Sequence, residues 1–178
     1  MKGKDVSVRV GGGFVWPPTA MEKVTEKSNG DGGVKRVVFV AGGVGVNPLM
    51  SIVTFLSEVK IEKGRLWFKV VFLYSAKAVP ENKGEVLFLS RLRDVFSILG
   101  EEGELRLFFT GKEGKEEVGV EKKRISGSDL LDALGPIKER KGTVCYICGV
   151  PTMTDAFVEK AKNAEGMVEE NVLCEKWW

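Results

Sequence analysis

A glycine-rich run, GGVGVNP, extends from Gly42 to Pro48 directly after an apolar segment. Glycines at such a position let backbone amides approach a pyrophosphate, and the N-terminus of a following helix favours negative charge. Asn47 is expected to cap that helix, with Pro48 in its first turn. The spacing departs from the usual dinucleotide fingerprint, because Pro48 replaces the third glycine. A tight turn without a ligand would use the same residues, but the position between a strand and a helix favours phosphate binding.

The next apolar segment ends in Tyr74-Ser75-Ala76-Lys77, with no carboxylate where the fingerprint has one for the ribose hydroxyl. Ser75 and Lys77 could instead hold a ribose 2′-phosphate, by a hydrogen bond and a point charge. A solvated surface lysine is the alternative interpretation of Lys77.

Two cysteines lie three residues apart in the apolar segment Thr143–Gly149. Side chains alternate along a strand, so Cys145 and Cys148 should point to opposite faces, which argues against a redox pair. Three cysteines without histidine cannot supply the usual zinc ligands, so no metal site is predicted. Cys145 is predicted to be core. Cys148 lies at the strand end, where a cofactor ring could meet its sulfur, although a buried structural cysteine is the alternative.

The composition is that of a globular domain and excludes several functions. The chain has 178 residues, 43% of them hydrophobic, and a net charge of +2, so nothing indicates nucleic-acid binding. The absence of histidine excludes Ser-His and Cys-His nucleophile pairs. Three cysteines fit a reducing intracellular compartment such as cytoplasm or mitochondrion. The apolar run 37–41 is too short to span a bilayer, so no membrane span is predicted.

Short apolar runs alternate with helical spacing from Arg36 onwards, which predicts an α/β fold with a doubly wound, five-stranded parallel sheet. Such sheets bind ligands at the carboxyl ends of their strands. Lys112–Arg124 is predicted to be a solvated excursion. The predicted strands are Arg36–Ala41, Leu66–Ala76, Glu104–Gly111, Thr143–Gly149 and Glu170–Glu175, and the predicted helices are 48–59, Glu85–Leu99, Ser126–Leu134 (capped by Ser126 or Ser128) and Pro151–Ala164.

Four segments together resemble the ferredoxin–NADP reductase superfamily: AGGVGVNPLMSI (Ala41–Ile52), FLYSAK (Phe72–Lys77), YICGVPTM (Tyr146–Met153) and the terminal CEKWW. The last segment looks more narrowly like the oxidoreductase NAD-binding-domain-containing proteins. The resemblance extends from about Val6 to Trp178. It implies an N-terminal barrel that binds FAD or FMN and a C-terminal α/β domain that binds NAD or NADP, with hydride passing from nicotinamide to the flavin.

The resemblance also implies roles for individual residues. Cys148 would lie beside the carbon that transfers hydride, Glu175 would supply a carboxylate near the active site, and Trp177 or Trp178 would stack on the flavin ring. Trp178 is therefore grouped with Cys148 and Glu175 as catalytic. The positions that match the cofactor-binding motifs are Gly42, Gly43, Val44, Gly45, Val46, Pro48, Ser75, Lys77, Arg124, Cys148, Gly149, Val150, Met153 and Trp177.

The flavin barrel of the superfamily has little counterpart here, since only VSVRVGGGF, residues 6–14, resembles its last strand and loop. Residues 1–20 are therefore expected to be a remnant of the barrel, 21–35 a linker and 36–178 the nucleotide-binding domain. We expect no tight flavin binding by the chain alone, and a flavin-bearing partner or electron acceptor becomes a candidate partner.

The expected function is the NAD(P)H-binding half of a flavin-dependent oxidoreductase. The alternative is a non-catalytic nucleotide-binding or interaction module. A bulky residue at Gly45 is predicted to abolish nucleotide binding with little loss of folding.

Overall fold

A six-stranded parallel sheet forms the centre of the fold. The computed structural model describes residues 14–18, 33–77, 85–111 and 119–176. The strands are β1 (Arg36–Gly42), β2 (Lys69–Lys77), β3 (Gly103–Thr110), β4 (Val120–Glu121), β5 (Thr143–Gly149) and β6 (Val172–Lys176), in the spatial order β4-β3-β2-β1-β5-β6. The chain therefore winds outwards from β1 in both directions, which confirms the predicted doubly wound α/β class.

Within the described part of the chain, the two faces of the sheet are covered by the α-helices α1 (Val46–Lys63), α2 (Leu89–Leu99), α3 (Gly127–Ala133) and α4 (Pro151–Lys162). Helices α1 and α2 pack on one face, where Phe39 stacks on Tyr146 with ring centroids 5.5 Å apart. Helices α3 and α4 pack on the other face, over Val38, Val40 and their neighbours. Strand residues alternate between the two cores, because side chains along a strand point to opposite faces.

The sixth strand, β4, corrects the predicted count of five and lies inside the stretch expected to be solvated. Val120 pairs with Leu107 of β3, and its partly buried side chain packs against the α1–α2 core. A strand of only two residues, one apolar and one charged, is too short to give a recognisable strand pattern in the sequence.

Several predicted boundaries shift for local reasons. Helix α2 begins at Leu89 instead of Glu85, because Phe88 has a φ of 58° and so cannot continue a right-handed helix. Strand β6 begins at Val172, after a 3₁₀ turn over Glu169–Asn171.

The start of helix α1 also differs from the expectation. The helix begins at Val46, with Gly45 as its N-cap, so Asn47 already lies inside the first turn. The side-chain amide of Asn47 donates to the Val44 carbonyl at 2.9 Å. Asn47 is therefore not the cap, whereas Pro48 is in the first turn as predicted.

Ser126 is the N-cap of helix α3, so of the two predicted caps, Ser126 and Ser128, the first is confirmed. Its hydroxyl accepts from the Asp129 backbone N–H at 3.3 Å, and the Asp129 carboxylate accepts from the Ser126 N–H at 2.7 Å. This reciprocal capping box fixes the chain direction just before the helix, where Arg124 and Ile125 lie.

Residues 14–18 pack against the α1–α2 face of the sheet. The Phe14 ring meets Tyr146 edge-on with centroids 5.2 Å apart, and the Tyr146 hydroxyl donates to the Val15 carbonyl at 2.6 Å. Residues 6–13 of the segment that resembles the last barrel strand and its loop lie outside the described residues.

Helix α1 with the turn before it, Gly43–Lys63, is long and apolar enough to cross a membrane by length and composition, with a mean hydropathy of 1.3. Its Leu49, Val53 and Leu56 are buried against the sheet. We therefore interpret α1 as a core helix.

Candidate functional site

An open pocket of about 470 Å³ lies at the carboxyl ends of the strands, on the α3–α4 face. This is the edge where parallel α/β sheets bind ligands, and the volume falls in the ordinary range of ligand pockets. Its lining residues are Gly42, Gly43, Val44, Ser75, Ala76, Lys77, Thr110, Arg124, Ile125, Val150, Thr152, Met153 and Phe157.

Eight residues that the sequence assigned to cofactor binding line this pocket together: Gly42, Gly43, Val44, Ser75, Lys77, Arg124, Val150 and Met153. The strand register brings them close, since Gly42 lies opposite Ser75 and Lys77 lies opposite Thr110. Residues distant in the chain therefore meet at one edge.

The pocket is positively charged. Among the residues that the structure describes, the charged residues of the lining are Lys77 and Arg124, both exposed, and none of the lining residues is a carboxylate. The N-termini of α1 and α4 follow strands β1 and β5 at the same edge, and neither helix has an acidic residue in its first turn. Helix N-termini present backbone N–H groups and partial positive charge, so the whole edge favours an anion.

Met153 and two glycines lie close together where β1 and β5 end; Met153 and Gly42 line the pocket, and Gly149 is buried beside them. A Cβ at Gly42 would lie 2.6 Å from the Met153 sulfur, and a Cβ at Gly149 would lie 2.6 Å from the Met153 Cε and 3.3 Å from the Gly42 Cα. A Cβ at either glycine would therefore require the Met153 thioether to shift, which a flexible side chain can do.

Gly45 has a packing role that the sequence did not reveal. The residue is buried, and a Cβ on it would overlap the Cys148 carbonyl and come within 2.7 Å of the Gly149 nitrogen. The prediction that a bulky residue there would spare folding is therefore wrong, because backbone atoms cannot move aside as a flexible side chain can. Gly45, Val46, Pro48 and Gly149, which the sequence assigned to cofactor binding, do not line the pocket, and Val46 is fully buried.

Cys148 and Glu175 lie side by side, but on the opposite face from the pocket. They are paired in the register of β5 and β6, and Cys148 is buried in the α1–α2 core. Cys145 is buried in the other core, as the alternation predicts, and burial raises the pKa of its thiol to about 12. Trp177 and Trp178 lie outside the described residues. Among the residues described, no three His, Cys, Asp or Glu side chains come together to hold a metal ion.

Five lining residues were not assigned from the sequence: Ala76, Thr110, Ile125, Thr152 and Phe157. Thr110 ends strand β3 and pairs with Lys77, the last residue of β2, so its position at a strand end carried a usable signal. Phe157 lies one helical turn after Met153 on α4, and this i,i+4 spacing could have predicted that the two share a face.

Comparison with known proteins supports the predicted resemblance. No protein-family model matches the chain. It is 31% identical over 183 residues to the oxidoreductase NAD-binding domain-containing protein 1 of Bos taurus, and 30% identical over 185 residues to the Homo sapiens protein of that name. These matches cover 98% of this chain but 53% and 52% of the relatives. The chain thus spans about half the length of the curated relatives it matches.

Solved structures share the fold at low sequence identity. The CS-b5R domains of human Ncb5or (NAD+ form) superpose with a TM-score of 0.59 at 16% identity, covering 79% of this chain and 36% of that one. The ferredoxin-NADP+ reductase of Plasmodium falciparum with 2'P-AMP superposes with a TM-score of 0.54 at 15% identity, covering 80% and 52%. In sequence the chain resembles the oxidoreductase NAD-binding-domain-containing proteins, and its fold is the ferredoxin-reductase-like NAD-binding fold that the four motifs predict.

Proposed function

We propose that this chain binds a nicotinamide dinucleotide in the strand-end pocket and is the NAD(P)H-binding half of a flavin-dependent oxidoreductase, with residues 36–178 as the nucleotide-binding domain. The observation that carries the proposal is the convergence of eight motif residues in one cationic pocket at the carboxyl edge of the sheet. Curated relatives named for an NAD-binding domain support the same ligand class.

In this proposal the residues of the pocket bind the phosphates. The turn over Gly43–Gly45 and the start of α4 receive the pyrophosphate, because helix N-termini offer unpaired N–H donors. Lys77, Ser75 and Arg124 receive a phosphate on the adenosine ribose, with Thr110 beside Lys77 in the register. The nicotinamide supplies the hydride when bound, and the chain's own part is to hold and orient the dinucleotide.

In this proposal the two cations of the described lining, Lys77 and Arg124, favour NADP(H) over NAD(H), because the 2′-phosphate adds negative charge there. Lys77→Ala should weaken NADPH binding by roughly tenfold and leave NADH binding nearly unchanged, because a hydrogen bond to a charged group contributes about 1.5–3 kcal/mol. Isothermal titration with each nucleotide measures the two affinities.

Lys138→Ala is the matched control, since Lys138 is exposed in the turn that leads into β5 at the opposite edge of the sheet. It should leave both affinities unchanged. If Lys77→Ala alters NADPH and NADH binding equally, Lys77 has no role towards the 2′-phosphate.

The burial of Cys148 favours the alternative function, a non-catalytic nucleotide-binding module. Its side chain is fully buried and is absent from the pocket lining, so a nicotinamide in the pocket does not touch its sulfur in this conformation. Flavin reduction separates the two functions, because a binding module transfers no hydride.

We expect the chain to accelerate the bleaching of added FAD by NADPH above the rate in buffer, measured anaerobically by visible absorption. The same sample passed through a gel-filtration column shows whether flavin stays bound. A bleaching rate equal to that of the buffer control, from a chain that binds NADPH in the titration, would establish the binding module instead.

A further inference from the structure

The thioether of Met153 packs on the backbone at two strand ends and also faces the pocket. Its sulfur lies 2.6 Å, and its Cε 2.9 Å, from the place of a Cβ at Gly42. Its Cε lies 2.6 Å from the place of a Cβ at Gly149. Backbone atoms of β1 and β5 therefore confine the thioether on one side, and the open pocket borders it on the other.

The other described methionines differ from Met153 in position. Met50 is 4% exposed within the α1–α2 core. Met167 is partly buried like Met153, but it follows α4 and does not line the pocket. A small solvent-borne reagent can therefore reach Met153 through the pocket.

We propose that Met153 is an oxidation site at which a hydroperoxide suppresses nucleotide binding. The proposal rests on the proposed function, because the pocket must bind the nucleotide for oxidation to weaken it. The Met153 sulfur attacks the distal oxygen of the hydroperoxide, the O–O bond breaks, and an S–O bond forms. The thioether loses two electrons, and the leaving oxygen takes up the proton of the attacked O–H group, so the peroxide is reduced to water or, from an alkyl hydroperoxide, to the alcohol.

The sulfoxide oxygen has room only on the pocket side, because an atom placed towards Gly42 or Gly149 would meet the backbone of the strand ends. Oxidation also turns an apolar, flexible side chain into a polar one. The new oxygen occupies volume in the pocket. Because it also carries partial negative charge, it repels the phosphates that Lys77 and Arg124 attract.

The test compares NADPH affinity before and after treatment of the full chain with hydrogen peroxide, with peptide mass spectrometry to measure oxidation at each methionine. We expect Met153 to be oxidised ahead of Met50 and the dissociation constant to rise by about tenfold, as for a polar group left unpaired at the interface. Methionine sulfoxide reductase should restore the affinity.

Two variants isolate the site. In Met153→Leu the ratio of treated to untreated dissociation constants should be one, whatever the starting affinity, although the other methionines remain oxidisable. Met167→Leu should show the full wild-type ratio. The inference fails if Met153 resists peroxide, if the oxidised wild-type chain binds as before, or if Met153→Leu loses affinity equally. An untreated chain that does not bind NADPH would instead overturn the proposed function itself, together with this inference.

Discussion

Replacing Gly45 by valine is expected to unfold the chain or to lower its free energy of unfolding by more than about 3 kcal/mol, the upper part of the usual cost of overpacking. A Cβ at this position would overlap the carbonyl of Cys148 and approach the Gly149 nitrogen within 2.7 Å. Both atoms belong to the end of the central strand β5, which is hydrogen-bonded to neighbours on both sides. Relief would therefore require the turn after β1 to move away from the sheet. Urea unfolding followed by circular dichroism measures the loss.

Gly33→Val is the matched control, because a Cβ at Gly33 meets nothing within 4 Å. The same change of side chain should there alter the midpoint of unfolding very little. A Gly45→Val chain with the wild-type urea midpoint would contradict the close approach of the turn to β5. Loss of nucleotide binding in Gly45→Val would carry no information about phosphate contacts, because the site and the fold would be lost together.

The central strands β1, β2 and β5 could be predicted from the sequence because they are mostly buried and rich in β-branched residues. The segment Thr143–Gly149 was predicted with its exact bounds, and all seven of its residues are buried. A buried parallel strand is a short continuous apolar run, and glycine or charged residues mark its ends. The residues at the carboxyl ends of these runs then predicted most of the pocket lining, because the carboxyl ends of parallel strands lie at the same edge of the sheet.

The register between neighbouring strands, which decides which residues lie side by side on one face, could not be predicted from the sequence. Alternation along one strand shows that Cys145 and Cys148 face opposite ways, but not which of them faces the pocket with Ser75. That depends on register, which pairs Gly42 with Ser75 and Ala41 with Cys148. The motif residues therefore lie on two different faces of the sheet. Their spacing in the sequence does not predict this division, because it depends on the register between strands.

The role of Gly45 was missed for a similar reason. Glycine in a turn is equally consistent with ligand approach and with close packing of backbone on backbone. Only the three-dimensional distance to Cys148 and Gly149 distinguishes the two, whereas Gly43, with a φ of +54° and open space around it, is free of such packing.

Val44→Asp is expected to raise the dissociation constant for NADPH by roughly a hundredfold, with little change in stability. Val44 is 54% exposed, lies in the turn before α1 and lines the pocket. A carboxylate about 5 Å from a phosphate charge, at an effective dielectric constant near 20, opposes binding by about 3 kcal/mol. Titration of NADPH at low ionic strength measures the effect, which added salt should reduce because salt screens exposed charges.

Val44→Asn is the matched control, since it has nearly the same shape as the aspartate variant and carries no charge. If the phosphates lie at the turn, the asparagine chain binds NADPH far more tightly than the aspartate chain, and the difference shrinks as salt is added. Equal affinities in the two variants would mean that no phosphate approaches Val44. Because Val44 is exposed and Gly45 is buried, this pair of variants tests phosphate contact at the turn while the packing of the turn on β5 stays intact.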